Sequence, residues 1–180
     1  KDINVSGNQR ISEETIIVLG QIKINEEYDD NKLNNTLKNL YNSNFFSNID
    51  ISILNEVLTI NVIENPIIED VRITGVKNKS VVKKLMESIS LKNRISYTED
   101  LLNNDINIVR NILKTNGFYF SKIKSSILKN EQLNSIEVEI NIDLGEKAKI
   151  KEISFIGDKK IKDKKLLEVI ASEEHKFWKF

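Results

Sequence analysis

Apolar residues along this chain change period in a fixed order, and the order recurs. A short alternating run, Ile3-Asn4-Val5-Ser6-Gly7, precedes two stretches with apolar residues at helical spacing, and two longer alternating runs follow. The succession starts again at Val71-Arg72-Ile73-Thr74-Gly75, and a third time at Ile153-Ser154-Phe155-Ile156-Gly157. In the first repeat the helical stretches carry Ile16, Leu19 and Gly20, then Leu33, Leu37, Leu40 and Tyr41. Ser12, followed by Glu13 and Glu14, predicts a helix start, because a hydroxyl caps free N–H groups and carboxylates suit the positive helix end. The second repeat has stripes Val82, Leu85, Met86, Ile89 and Leu102, Ile106, Val109, Leu113. Thr98, with Glu99 and Asp100 after it, predicts the start of its longer helix, and Gly117 the stop.

The paired alternating runs read as hairpins. Around Asn55-Glu56 a two-residue turn sets Ile53 against Leu58, Ile51 against Ile60 and Ile49 against Val62, so apolar meets apolar throughout. In the second repeat Ile123 and Ile127 share a face with Ile136, Val138, Ile140 and Ile142, and two registers satisfy that pattern. Lys122 and Lys124 then face Glu137, Glu139 and Asn141 as cross-strand pairs on a solvated face. The element order is β-α-α-β-β. With the last two strands antiparallel, the first and last run parallel side by side, giving an α+β fold: a three-stranded mixed sheet covered on one face by two helices. Glu64-Asn65-Pro66 ends the first unit and the stretch after Leu144 ends the second. The expected organisation is residues 1–65, 66–146, and a partial third unit, 147–180, with a strand near 149–157 and a helix carrying Leu166, Leu167, Ile170 and Ala171.

Composition narrows the chemistry. The 180 residues are 39% hydrophobic and 30% charged, with 27 acidic and 27 basic side chains, so no net field points to nucleic acid. There is no cysteine, and His175 is the only histidine, which excludes thiolate metal sites and histidine clusters. No apolar run approaches the roughly 20 residues of a membrane helix. The chain opens on Lys1, without Met or a signal sequence, and reads as a trimmed fragment. Adjacent acids such as Asp29-Asp30 sit where helix capping explains them, so no cofactor and no enzyme activity are expected.

Several phrases resemble the POTRA repeats of the BamA family of outer-membrane barrel-assembly proteins. Leu40-Tyr41-Asn42-Ser43-Asn44-Phe45-Phe46-Ser47-Asn48-Ile49 is similar to the family's link between second helix and hairpin, with Asn44 replacing the usual Gly. Val62-Ile63-Glu64-Asn65-Pro66 is similar to its V-x-E-x-P exit, and Asn116-Gly117-Phe118-Tyr119 to its helix-to-strand turn. Leu144-Gly145-Glu146-Lys147 through Ile153 resembles the link into a third domain, with Leu144 where Glu is usual, and Phe177-Trp178 an aromatic pair of that domain. The resemblance implies two complete POTRA domains and part of a third, on the periplasmic face of the bacterial outer membrane. It implies a non-enzymatic role: receiving unfolded outer-membrane proteins from a periplasmic chaperone and scaffolding Bam-complex lipoproteins, with a C-terminal β-barrel beyond this chain.

The topology leaves the second strand of each sheet as an open edge. The expected client-binding residues are therefore Ile49, Asp50, Ile51, Ser52 and Ile53, and Ser121, Lys122, Ile123, Lys124, Ser125, Ser126 and Ile127. Ser52 and Ser125 are the positions where Pro is expected to remove an edge donor. The expected interdomain hinge residues are Asn65 and Pro66 at the first joint, Gly145 and Glu146 at the second. Two other readings share features of the pattern. A KH-type RNA-binding module has the same element order but needs a Gly-x-x-Gly loop, which residues 21–28 and 90–97 lack. A POTRA string of a related transport pore shares the same phrases.

Overall fold

The structure, a computed structural model, describes residues 2–23, 26–55, 57–156, 165–166 and 169. The element order is β1 (Ile3–Ser6), α1 (Glu13–Leu19), α2 (Asp30–Asn42), β2 (Phe46–Leu54), β3 (Val57–Glu64), β4 (Ile67–Thr74), α3 (Lys79–Ser88), α4 (Glu99–Thr115), β5 (Lys122–Asn130) and β6 (Ser135–Asp143). The described residues form two three-stranded sheets, ordered β1-β3-β2 and β4-β6-β5. In each, the last strand lies in the centre, parallel to the first and antiparallel to the second. This is the α+β fold that the repeat pattern predicts.

Local chemistry sets the helix ends. The Ser12 hydroxyl accepts from Thr15 N, Asp29 from Lys32 N and Thr98 from Leu101 N, each satisfying an otherwise free donor for about 1 kcal/mol. Asn78 caps α3 in the same way. Asn44, where the chain turns from α2 towards β2, takes φ 60°, a left-handed conformation that Asn tolerates.

Each unit has its own core. Ile16, Ile22, Leu40, Phe46, Ile49, Leu58, Ile60 and Val62 form the first. Ile68, Val71, Leu85, Ile89, Leu91, Leu102, Val109, Leu113 and the central-strand residues Ile136, Val138, Ile140 and Ile142 form the second. Asp105, fully buried on α4, accepts from the N–H groups of Ser90 and Leu91 and so holds the α3–α4 loop against the second core.

The two hairpins differ in length. β2 and β3 pair Ile49↔Val62, Ile51↔Ile60 and Ile53↔Leu58, as the alternation predicts, with Asn55 at φ 50° in the turn. Glu56 lies outside the described residues. β5 and β6 choose the register Ile123↔Ile142 and Ile127↔Val138, and run on to Asn130↔Ser135. That extension lets β6 also pair with Ile67 and Ile68, so β4 begins at Ile67 rather than Asp70.

Two expectations are corrected. Lys124 faces Asn141, as expected, but Lys122 faces Asp143 and neither lysine faces Glu137 or Glu139. The two glutamates instead face the parallel neighbour β4, where Arg72 ion-pairs with Glu137 and Thr74 Oγ1 donates to Glu139 at 2.8 Å. Ile127 shares the core face but stays 36% exposed, because β5 runs beyond the helical cover. Residues 149–156 adopt no strand, where the alternation predicts one. Of the helix expected after them, only Lys165, Leu166 and Val169 are described. Gly157, Leu167, Ile170, Ala171, His175, Phe177 and Trp178 lie outside the described residues.

A close approach fixes where each first strand ends. Gly75 has φ +85°, and a Cβ there would overlap the Ile142 carbonyl oxygen; Gly7, at φ +82°, meets the Val62 carbonyl in the same way. We expect Gly75→Ala to destabilise the second unit by about 3 kcal/mol. Asp50→Lys, on the exposed face of β2, is expected to stay within about 0.5 kcal/mol of the parent. Urea unfolding measures both. An unchanged midpoint for Gly75→Ala would show that the β4 exit can move clear of Ile142.

Candidate functional site

The described residues offer little side-chain chemistry: none of their His, Asp and Glu residues form a group of three able to hold a metal. What they offer is unpaired backbone. A three-stranded sheet has two edges, and the four edges here are unequal. β1 is only four residues long. The start of β4 is covered, because Ile68 N donates to Ile95 O at 2.9 Å, Arg94 N to Ile68 O at 2.7 Å and Tyr97 N to Pro66 O at 2.8 Å. β2 and β5 each run nine residues.

β2 is partly closed by its own unit. Ile49 is buried, and its N–H points away from β3 to donate to the Tyr41 hydroxyl at 3.1 Å. Because outward and inward donors alternate in an antiparallel strand, Ile51 and Ile53 also direct their N–H groups to the edge. Asp50 and Ser52 direct theirs into the ladder with β3, so Pro at Ser52 strikes the ladder, contrary to the expectation from sequence. Ile53 and Leu54 project past the helices, 42% and 71% exposed.

β5 is the more open edge. Only Ile123 of its nine residues is half-buried; the rest are exposed. Ser121 precedes the strand and is half-buried. Phe120 and Tyr119, 75% and 59% exposed, stand at its start, beside a cavity of about 560 Å3 lined by Phe120, Glu146, Lys147, Ala148 and Lys149.

The first joint is tied down group by group. Glu64, whose side chain is 2% exposed, accepts through Oε1 from Gln9 N, Arg10 N and Ile11 N at 2.8–2.9 Å. Its Oε2 accepts from Arg10 Nε at 2.9 Å. Arg10 Nη2 then donates to Asn65 O, and Asn65 N to Phe45 O, while Asn65 Nδ2 donates to Asn44 O. From the second unit, Asn134 Nδ2 donates to Glu64 O at 3.2 Å. Burial pushes the Glu64 carboxyl up, but the three backbone donors and the Arg10 guanidinium outweigh it and hold the group below the usual carboxylate value.

Among the described residues the exit of the second unit has no equivalent of this anchor. Gly7 packs on Val62 and Gly75 on Ile142, so the position two residues on is Glu64 in one unit and Leu144 in the other. Gly145 N donates to Asp143 Oδ1, and Ala148 N to Gly117 O at 2.8 Å. Gly145 and Glu146 are exposed, whereas Asn65 is buried and Pro66 half-buried. Arg10, Asn134 and the Arg94–Tyr97 cover are contributors that periodicity does not reveal, because they lie in loops; periodicity placed Tyr41 on the stripe of α2 but not its hydroxyl on Ile49 N.

The POTRA family profile, described as a surface antigen variable number repeat, matches residues 1–65 and 66–145. The chain belongs to the POTRA family. It is 28% identical over 180 residues to the outer membrane protein assembly factor BamA of Neisseria meningitidis serogroup B, covering 99% of this chain and 22% of that protein. Over 179 residues it is 25% identical to the BamA of Neorickettsia risticii, covering 96% of this chain and 23% of the relative. The chain thus spans between a fifth and a quarter of the length of these curated relatives. The N-terminal domain of Omp85 from Thermosynechococcus elongatus shares the fold, with a TM-score of 0.54 at 13% identity over 80% of this chain and 61% of that one.

In these POTRA units Glu64 is a nearly buried carboxylate whose charge state bears on stability. Its folded pKa lies below the unfolded value, so its contribution is present above about pH 4.3 and fades as pH falls through the folded value. We expect Glu64→Gln to destabilise the first unit by about 2 kcal/mol at pH 7 and to flatten its loss of stability on acidification. Chemical denaturation between pH 3 and 7 measures both. Parallel pH curves for parent and variant would show that this carboxylate is not the titrating anchor.

Proposed function

We propose that the two POTRA units are a periplasmic region of an outer-membrane protein assembly factor of the BamA kind. Their open strand edges hold unfolded outer-membrane proteins passed from a periplasmic chaperone, and their outer surfaces scaffold Bam-complex lipoproteins. The observation that carries this reading is the β5 edge, nine residues long and exposed almost throughout. A client strand added there gains main-chain hydrogen bonds that depend little on its sequence. Four or five such bonds at a net ~0.5–1.5 kcal/mol each give a few kcal/mol before ordering costs. Binding of that strength releases readily, which handover requires. Similarity to BamA along nearly the whole chain supports the assignment.

The joints have unequal roles in this reading. The first presents the two edges in a fixed relation, through Asn65, Pro66 and the Glu64 network. The second, at Gly145 and Glu146, is the hinge. Spin labels across the first joint are expected to give one narrow distance distribution, broadened by Glu64→Gln with Asn134→Ala. A parent distribution as broad as the double variant's would remove this role from the network.

Titration of the isotope-labelled protein with a peptide from an outer-membrane protein strand tests the edge. Amide shifts are expected along β5, with weaker ones at Ile51–Leu54. Of Ser125→Pro and Ser126→Pro, one removes an outward donor and the other an inward one, since donors alternate. The variant that stays folded is expected to lose affinity at least about fivefold. Shifts confined to the helices, with affinity intact in that variant, would reject strand addition.

A further inference from the structure

The open face of the second sheet carries mixed charge on β4, acids on β6 and lysines on β5. On β4, Arg72 reaches Asp70 at 3.1 Å and ion-pairs with Glu137 of β6. On β6, Glu137 and Glu139 face β4, the second accepting from Thr74 Oγ1. On β5, Lys122 and Lys124 share this face, opposite Asp143 and Asn141. Asp143 accepts from Gly145 N instead. Among the described residues neither lysine has an ion-pair partner, and both are exposed. The order across the sheet is therefore an ion-paired Asp70–Arg72 on β4, negative on β6 and positive on β5, and then the open edge. The opposite face of β5 carries Ile123 and Ile127, half-buried and 36% exposed.

We propose that the β5 edge selects extended segments in which acidic residues alternate with apolar ones. The proposal rests on the reading of β5 as a client edge and adds its charge preference. A strand laid beside β5 continues the banding: its acids lie against Lys122 and Lys124, and its apolar residues against Ile123 and Ile127. Alternation follows from the period of two, which sends successive side chains to opposite faces. The same lysines repel a second copy of β5, so self-pairing is disfavoured while an acidic strand is admitted. β2 differs. Its open face presents Asp50 and Ser52, with Ile49, Ile51 and Ile53 opposite, so an acidic strand gains no cation there. The two edges of one chain thus sort segments by charge.

Three ten-residue peptides test this, with identical apolar residues at alternate positions and Glu, Thr or Lys between them. Each is titrated into the isotope-labelled 180-residue chain at 50 and 500 mM salt. At β5 the Glu peptide is expected to bind about fivefold more tightly than the Thr peptide, with the Lys peptide weakest, and the gap to close at high salt. Lys122→Glu with Lys124→Glu is expected to reverse the order, with a thermal melt confirming the fold. Should that variant unfold, Lys122→Gln with Lys124→Gln is expected to abolish the ranking. Equal affinities with shifts along β5 would overturn the charge preference and leave strand addition standing. Shifts at β5 with no peptide would overturn both. A ranking unchanged in the folded lysine variants would assign the selection to other residues and overturn the proposal.

Discussion

The parallel pairing of each first strand with its last is the contact on which everything else turns. It joins residues far apart in sequence, Ile3 with Leu58 and Val71 with Val138, so it closes a long loop before it is rewarded. Once made, it places β3 and β6 in the centre, and the hairpin then sends β2 and β5 to the outside. The helices have no choice of face, because the connection between the parallel strands must cross one side of the sheet. Gly7 and Gly75 stand where the first strand leaves against the central strand's carbonyl, which is why neither position accepts a side chain.

The two units share this frame and differ at the exit. Glu64 brings a charge into a nearly dry place, which is unfavourable by itself. Three backbone donors and Arg10 offset that, and in return the β1–α1 loop, the linker and the first core are fixed to one another. Leu144, at the matching place, packs partly on the second core. Apolar contact is non-directional, so it stabilises the exit without orienting the linker. The two exits thus differ in kind, with directional hydrogen bonds at Glu64 and apolar contact at Leu144.

Much of the fold was legible because its signals are periodic. The Ile49–Val62 register followed from alternation alone, and Ser12, Thr98 and Gly117 marked helix ends by local chemistry. The second hairpin was not decidable in this way, since two registers kept the same faces; the structure adopts the one that pairs Ile123 with Ile142 and Ile127 with Val138. The lysine–glutamate pairs failed for a related reason. A central strand has two neighbours, and the sequence of a hairpin shows only one of them. Edge exposure was readable from topology, but the covering of β4 by Arg94–Tyr97 and the capping of Ile49 by Tyr41 depend on tertiary placement. Arg10 and Asn134 bind through loops, where no period announces a contact.

An edge that is to accept a strand, as proposed for β5, must be open and yet survive being open. β5 meets both demands by contributing little to its own core: of its residues only Ile123 is half-buried, and Ser125, Ser126 and the lysines forgo apolar contact. The second core lies mainly in β4, β6, α3, α4 and the loop between the helices, with Ile123 the one β5 residue packed against it. Adding a strand to β5 therefore leaves the packed layer undisturbed. β2 is arranged differently, with Phe46 and Ile49 buried in the first core and only its far end free. The chain thus separates stability from contact within one sheet, keeping apolar packing on the central strands and free hydrogen-bonding groups at the margin.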